Sequence, residues 1–181
     1  MAAGAKLFEA GESCPGSFYA VARFLSRGYL WDNVRVVGGA YGGGCALNPS
    51  SGGFAFSSYR DPNLQGTLDI YGKTVEILEN LEITDEALEQ AIVGAVGDLD
   101  SPENSQQKGY KALVRHLTGV TTETRQRYRD EVLATDRASF KAFAERLKSK
   151  QLNIATFASK VHTPRAVAAS AARSQATVPW G

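Results

Sequence analysis

Along most of this chain apolar residues recur at every third or fourth position, and only two short stretches alternate singly. That contrast predicts a mainly helical body interrupted by a little sheet. The first helical stripe follows Pro15 and Gly16. Ser17 suits an N-cap, Phe18, Val21, Ala22 and Leu25 share one face, and Gly28 can end the helix. LWDNVRVV leads, as a short helical or irregular passage, into Gly38 and Gly39. Two runs then flank Asn48-Pro49-Ser50-Ser51-Gly52, and small and apolar residues alternate in GFAFSSY. This is the pattern of a β-hairpin with a longer loop.

After Asp61 and Pro62 the helical period returns. Leu64, Leu68, Tyr71, Val75 and Leu78 form one stripe. A second helix starts near Thr84, with Asp85 and Glu86 at its positive end, and carries Leu88, Ala91, Ile92, Ala95 and Val96. A third carries Tyr110, Leu113, Val114 and Leu117 and stops at Gly119. A fourth begins at Thr121 or Thr122 and runs through RQRYRDEVL. A fifth places Phe140, Phe143, Ala144 and Leu147 on one buried face. LNIATFAS alternates and reads as a last strand. Beyond Pro164 an Ala/Ser-rich tail ends in VPWG and is expected to be weakly ordered unless Trp180 docks.

The order is helix, hairpin, several helices, strand. It predicts an α+β fold, an antiparallel sheet of hairpin plus C-terminal strand covered by several helices. Three strands make a thin sheet, so one face or edge is expected to lie against something else.

Composition narrows the function classes. Of 181 residues 43% are apolar, enough for a core, and the net charge of +1 demands neither nucleic acid nor a membrane surface. The alternating Arg125, Arg127 and Arg129 read as a solvated helix face. No run reaches the roughly 18 apolar residues of a membrane span, and no targeting segment is visible at the N-terminus. Cys14 and Cys45 lack C-x-x-C spacing and read as two buried or half-buried thiols. His116 and His162 have no partner at metal-ligand spacing. There is no G-x-S-x-G elbow, and no P-loop Lys follows GGAYGGG. The five glycines 38, 39, 42, 43 and 44 suit a tight turn with close backbone approach.

What remains is Val34 to Pro62. Arg35, Tyr41 and the glycine turn stand just ahead of the hairpin, and both side chains can donate hydrogen bonds to a carbonyl or an oxyanion. No nucleophile, base or metal cluster accompanies them, so they read as half of a site. On the residues alone the plainer alternative is a buried tyrosine and an arginine bridging to a helix end.

WDNVRVVGGAYGG, then SSYRDPNL and DIYGKT, resembles the C-terminal domain of presequence proteases, organellar zinc metallopeptidases of the pitrilysin type with an inverted H-x-x-E-H motif. AIVGAVGDLDSP, the KGY…RHLTGVT stretch and RQRYRDEVL extend the likeness from about Gly11 to about Ser159. In that family two halves close around a chamber. The N-terminal half holds the zinc and the catalytic glutamate. The C-terminal half contributes an arginine and a tyrosine that reach across to the substrate at the zinc. They correspond here to Arg35 and Tyr41, and the resemblance implies that Tyr41 hydrogen-bonds the scissile carbonyl oxygen or adjacent backbone while Arg35 anchors the substrate or positions Tyr41.

The resemblance implies that residues 1–163 form a partial peptidase C-terminal domain lacking its opening strand, helix and strand, with 164–181 as a tail. It implies a peptide substrate, no cofactor in this chain, and zinc in a missing N-terminal half or a homologous chain. It implies degradation of targeting peptides and short unstructured peptides in the mitochondrial matrix or plastid stroma. The chain alone is expected to be inactive, because H-x-x-E-H is absent. The rival readings are a non-catalytic structural subunit, an in-trans partner of a zinc-bearing homologue, or an inactive truncated product.

Overall fold

Asn48 closes the hairpin with its own side chain. Its Oδ1 accepts the backbone N–H groups of Ser50 and Ser51 at 3.0 and 3.1 Å, and its carbonyl accepts the Gly52 N–H at 2.9 Å. The strands on either side are β2 (Gly42–Asn48) and β3 (Gly53–Tyr59), paired antiparallel with Cys45 opposite Phe56. The computed structural model describes residues 1–9 and 11–157. Within them the remaining elements are β1 (Ala2–Lys6), α1 (Gly16–Arg27), a π-helical turn (Trp31–Val37), α2 (Leu64–Glu79), α3 (Asp85–Leu99), α4 (Ser105–Thr118), α5 (Thr122–Leu133), α6 (Arg137–Lys148) and β4 (Asn153–Ala155). The fold is α+β, as expected from the pattern. His162, Trp180 and the tail 164–181 lie outside the described residues.

The sheet runs β2-β3-β1-β4, antiparallel throughout, and so has a strand that the pattern does not announce. β1 reads Ala-Ala-Gly-Ala-Lys, with no β-branched or aromatic residue and no large apolar alternation. Tertiary pairing makes it a strand. Ala3 lies opposite Phe56 of β3 and Ile154 of β4, and a Cβ on Gly4 would sit 2.7 Å from the Phe54 carbonyl oxygen. The terminal ammonium of Met1 donates to the Ser58 carbonyl oxygen at 2.8 Å. β4 is shorter than the alternating run that predicts it, and Ala158 and Ser159 fall outside the described residues.

Alternation on β3 decides where the core lies. Phe54, Phe56 and Ser58 are buried, while Ser57 and Tyr59 are exposed. Phe54 meets Phe143 of α6 edge-on at 5.4 Å, and Phe56 stacks on Tyr71 of α2 at 4.6 Å. Phe18 of α1 reaches Phe143 at 5.1 Å. Burying each such side chain stabilises the fold by about 1.5–3 kcal/mol, and together they hold the helices against one face of the sheet.

Two helical expectations change. Ser17 does not cap α1. Pro15 occupies the cap position, and the Gly16 N–H donates to the Glu131 carboxylate of α5 at 2.7 Å. A distant carboxylate thus fills the place of a local cap at the positive end of the helix. The stripe of α4 is helical as expected, ending at Gly119 with φ +69°, yet no residue of α4 is buried. Tyr110 and Leu117 are 68% and 74% exposed. α3 packs against α5, with Arg129 donating to Asp100 at 2.5 Å, and α4 is left outside that contact.

Candidate functional site

The exposed chemistry gathers between α1 and the hairpin. The chain leaves α1 at Gly28 and winds into the π-helical turn. There the Gly38 N–H donates to the Asn33 carbonyl five residues back at 2.9 Å, and the Asn33 side chain donates to the Tyr29 carbonyl at 2.8 Å. π-Helical turns are uncommon and concentrate at functional sites. Val34 is the turn's buried anchor, whereas Trp31, Arg35, Val36 and Val37 point outward. The Arg35 guanidinium stacks over the Trp31 indole, 4.7 Å from its centroid.

The glycines that follow have structural causes. Gly39 has φ +76°, which a residue with a Cβ rarely adopts. Gly43 lies so close to Val34 that a Cβ there would be 2.5 Å from Val34 Cγ1. The turn is therefore pinned to β2, and Tyr41 is presented just before that strand.

Tyr41 is 67% exposed, so the buried-tyrosine alternative does not hold. Its ring meets Tyr59 of β3 edge-on, with centroids 5.9 Å apart. Arg35 is likewise exposed, and its guanidinium lies on an indole rather than at a helix end. The structure thus places the two sequence-predicted residues on either side of one glycine turn, each steadied by a different aromatic neighbour. Sequence reasoning missed three contributors, Trp31, Tyr59 and Arg60. Tyr59 was within reach, since β3 alternation sends it away from the core. Arg60 was not, because its role depends on a backbone conformation.

The other titratable groups do not join this cluster. Among the described residues, no group of three His, Cys, Asp or Glu is placed to hold a metal ion. His116 lies exposed on α4. Burial pushes the Cys14 thiol up to about 11 and the Cys45 thiol up to about 12, so neither is a ready nucleophile. Cys45 donates its S–H to the Ala22 carbonyl at 3.2 Å. Arg129 and Arg127 pair with Asp100 and Glu131. No described helix is long and apolar enough to cross a membrane.

The profile of the PreP C-terminal domain matches residues 1–161. The chain belongs to that family. Presequence protease 1 of Arabidopsis thaliana, described as chloroplastic/mitochondrial, is 48% identical over 139 residues, covering 77% of this chain and 13% of the relative. The mitochondrial presequence protease of Emericella nidulans is 33% identical over 121 residues, 67% of this chain and 11% of that one. The mouse mitochondrial presequence protease is 34% identical over 120 residues, with 66% and 11% covered. This PreP C-terminal domain chain thus spans only about a tenth to an eighth of the relatives' length. Its fold is also found in a conserved protein from Enterococcus faecalis V583, with a TM-score of 0.60 at 18% identity over 80% of this chain and 36% of that one.

Proposed function

We propose that this chain forms a substrate-facing wall of a presequence-protease-type metalloendopeptidase, in which Arg35 and Tyr41 contact the peptide at the reacting centre. One observation carries the reading: the two donors flank a single glycine turn, exposed and aromatic-supported, in a member of the PreP C-terminal domain family. The Tyr41 hydroxyl donates to the scissile carbonyl oxygen or the adjacent backbone. Arg35, held over Trp31, anchors the substrate. Donors fixed before the reaction stabilise developing negative charge without reorganising, and removing one typically costs about 10²–10³ in turnover.

The substrates proposed are cleaved targeting peptides and other short unstructured peptides. Zinc and the general base belong to an N-terminal half, or to a homologous chain, and this chain alone is inactive. The names of the relatives support a mitochondrial or plastid setting.

The test is size-exclusion chromatography with light scattering on the chain alone and mixed with a zinc-bearing N-terminal half, with cleavage of a quenched peptide assayed on each peak. The mixture should form a complex that cleaves, and Tyr41→Phe should lower kcat by about 10². Cleavage unaffected by Tyr41→Phe, or chelator-sensitive cleavage by the chain alone, would overturn the reading.

A further inference from the structure

Arg60 stands directly across the hairpin from Tyr41. Gly42 pairs with Tyr59 at the open end of the β2–β3 ladder, and the next step joins Tyr41 to Arg60, whose carbonyl accepts the Tyr41 N–H at 3.3 Å. There the backbone turns sharply. Arg60 has φ +46° and is the single non-glycine residue with a positive φ among the described residues. Glycine or asparagine would meet that conformation at lower cost. An arginine held there against its backbone preference points to a task for its side chain.

The guanidinium shows the task. It lies 5.8 Å from the Tyr41 ring centroid and 5.6 Å from that of Tyr59, while the two rings meet edge-on at 82°. Both distances are within cation–π range. No carboxylate among the described residues forms an ion pair with Arg60. Its stacking is therefore with the two tyrosines, and it clamps them together. Tyr41 needs such a clamp. Its ring is exposed, it sits outside the last ladder pair, and an unsupported phenol there would sample several rotamers.

We propose that Arg60 is a positioning residue. Stacked across Tyr41 and Tyr59 from a left-handed backbone, it fixes the direction in which the Tyr41 hydroxyl is offered to the peptide. The proposal rests on the assignment of Tyr41 as a substrate donor. It adds that the orientation of this donor is set from the far strand of the hairpin rather than by Arg35.

Arg60→Gly separates positioning from folding, because glycine relieves the positive φ while deleting the guanidinium. Arg60→Lys keeps the charge but loses the planar stack. The first readout uses the 181-residue chain itself with 13C-labelled tyrosine, the Tyr41 ring being assigned through Tyr41→Phe. Arg60→Gly should shift the Tyr41 ring resonances and lower their order while the rest of the spectrum stays folded, with Arg60→Lys in between. The second uses the complex with the zinc-bearing half. Arg60→Gly should lower kcat by about 10-fold to 10², the cost of a misplaced group, with KM little changed, and Arg60→Lys should restore part of the loss. In a Tyr41→Phe background Arg60→Gly should add nothing.

Unchanged Tyr41 ring signals in Arg60→Gly, or an equal loss of kcat in the Tyr41→Phe background, would overturn the positioning role. If instead Tyr41→Phe itself leaves kcat intact, the substrate-donor assignment falls, and ring order in the isolated chain still decides whether Arg60 orients Tyr41.

Discussion

Val34 and Gly43 touch with no room to spare: a Cβ added at Gly43 would lie 2.5 Å from Val34 Cγ1. Val34 is fully buried, and through this contact it seats the π-helical turn on β2. Arg35 is the next residue along. Gly43→Ala must push the turn off the strand, because Val34 packs into the core and cannot give way freely. Overpacking of this kind costs about 1–3 kcal/mol. Urea unfolding should show that loss, and the Trp31 fluorescence maximum of the folded protein should move as its stack with Arg35 loosens. Unchanged stability would mean that the turn is not pinned at this point.

The N-terminal strand is tied down by one arginine. Arg146 of α6 donates to the Leu7 carbonyl and to Glu12, both at 2.6 Å, and lies 4.7 Å over the Phe8 ring. Arg146→Ala should therefore cost about 1.5–3 kcal/mol, the range for hydrogen bonds to a charged group. It should also increase amide exchange in β1 before it does so in β3. Arg146→Lys should recover little of this, since an ammonium cannot reproduce the fork and the stack together. Uniform exchange across the sheet would count against the tie.

Leu117 of α4 tests the opposite expectation. It belongs to a regular apolar stripe, yet it is 74% exposed. Leu117→Glu in the isolated chain should change stability by no more than about 0.5 kcal/mol, as at other surface sites. By contrast Leu147→Glu, on the buried face of α6, should prevent folding or nearly so. Thermal melts of the two variants distinguish the cases.

The thiols predict a pH dependence. Burial raises Cys14 from about 9 to about 11 and Cys45 from about 9 to about 12. The buried Tyr71 hydroxyl moves the same way, from 10 to about 12. In each case the unfolded state releases its proton first. The stability these groups give is thus fully present below pH ~9 and is lost as pH rises toward 12. Urea midpoints should fall above pH 9, and the fall should be smaller in Cys14→Ala. A thiol reagent at pH 8 should label the native protein slowly and the unfolded chain rapidly. Fast native labelling would show that the thiols are open to solvent.

The chain's hydrophobic spacing determines where most helices lie, because a helix need only match a local period. The Asn48 turn and the alternation in GFAFSSY likewise determine the hairpin. Arg35 and Tyr41 stand out in the sequence for their donor chemistry and their place beside a glycine run. Tertiary structure decided the rest. β1 exists because β3 and β4 lend partners to a segment with no strand propensity of its own. The stripe of α4 stays in solvent because α3 and α5 pack together without it. The support of Tyr41 comes from Arg60, nineteen positions away, by way of a ladder register and a positive φ that no periodicity encodes. Local pattern reports which face of an element is apolar. Only the packed chain settles whether that face meets a partner and which side chains meet across strands.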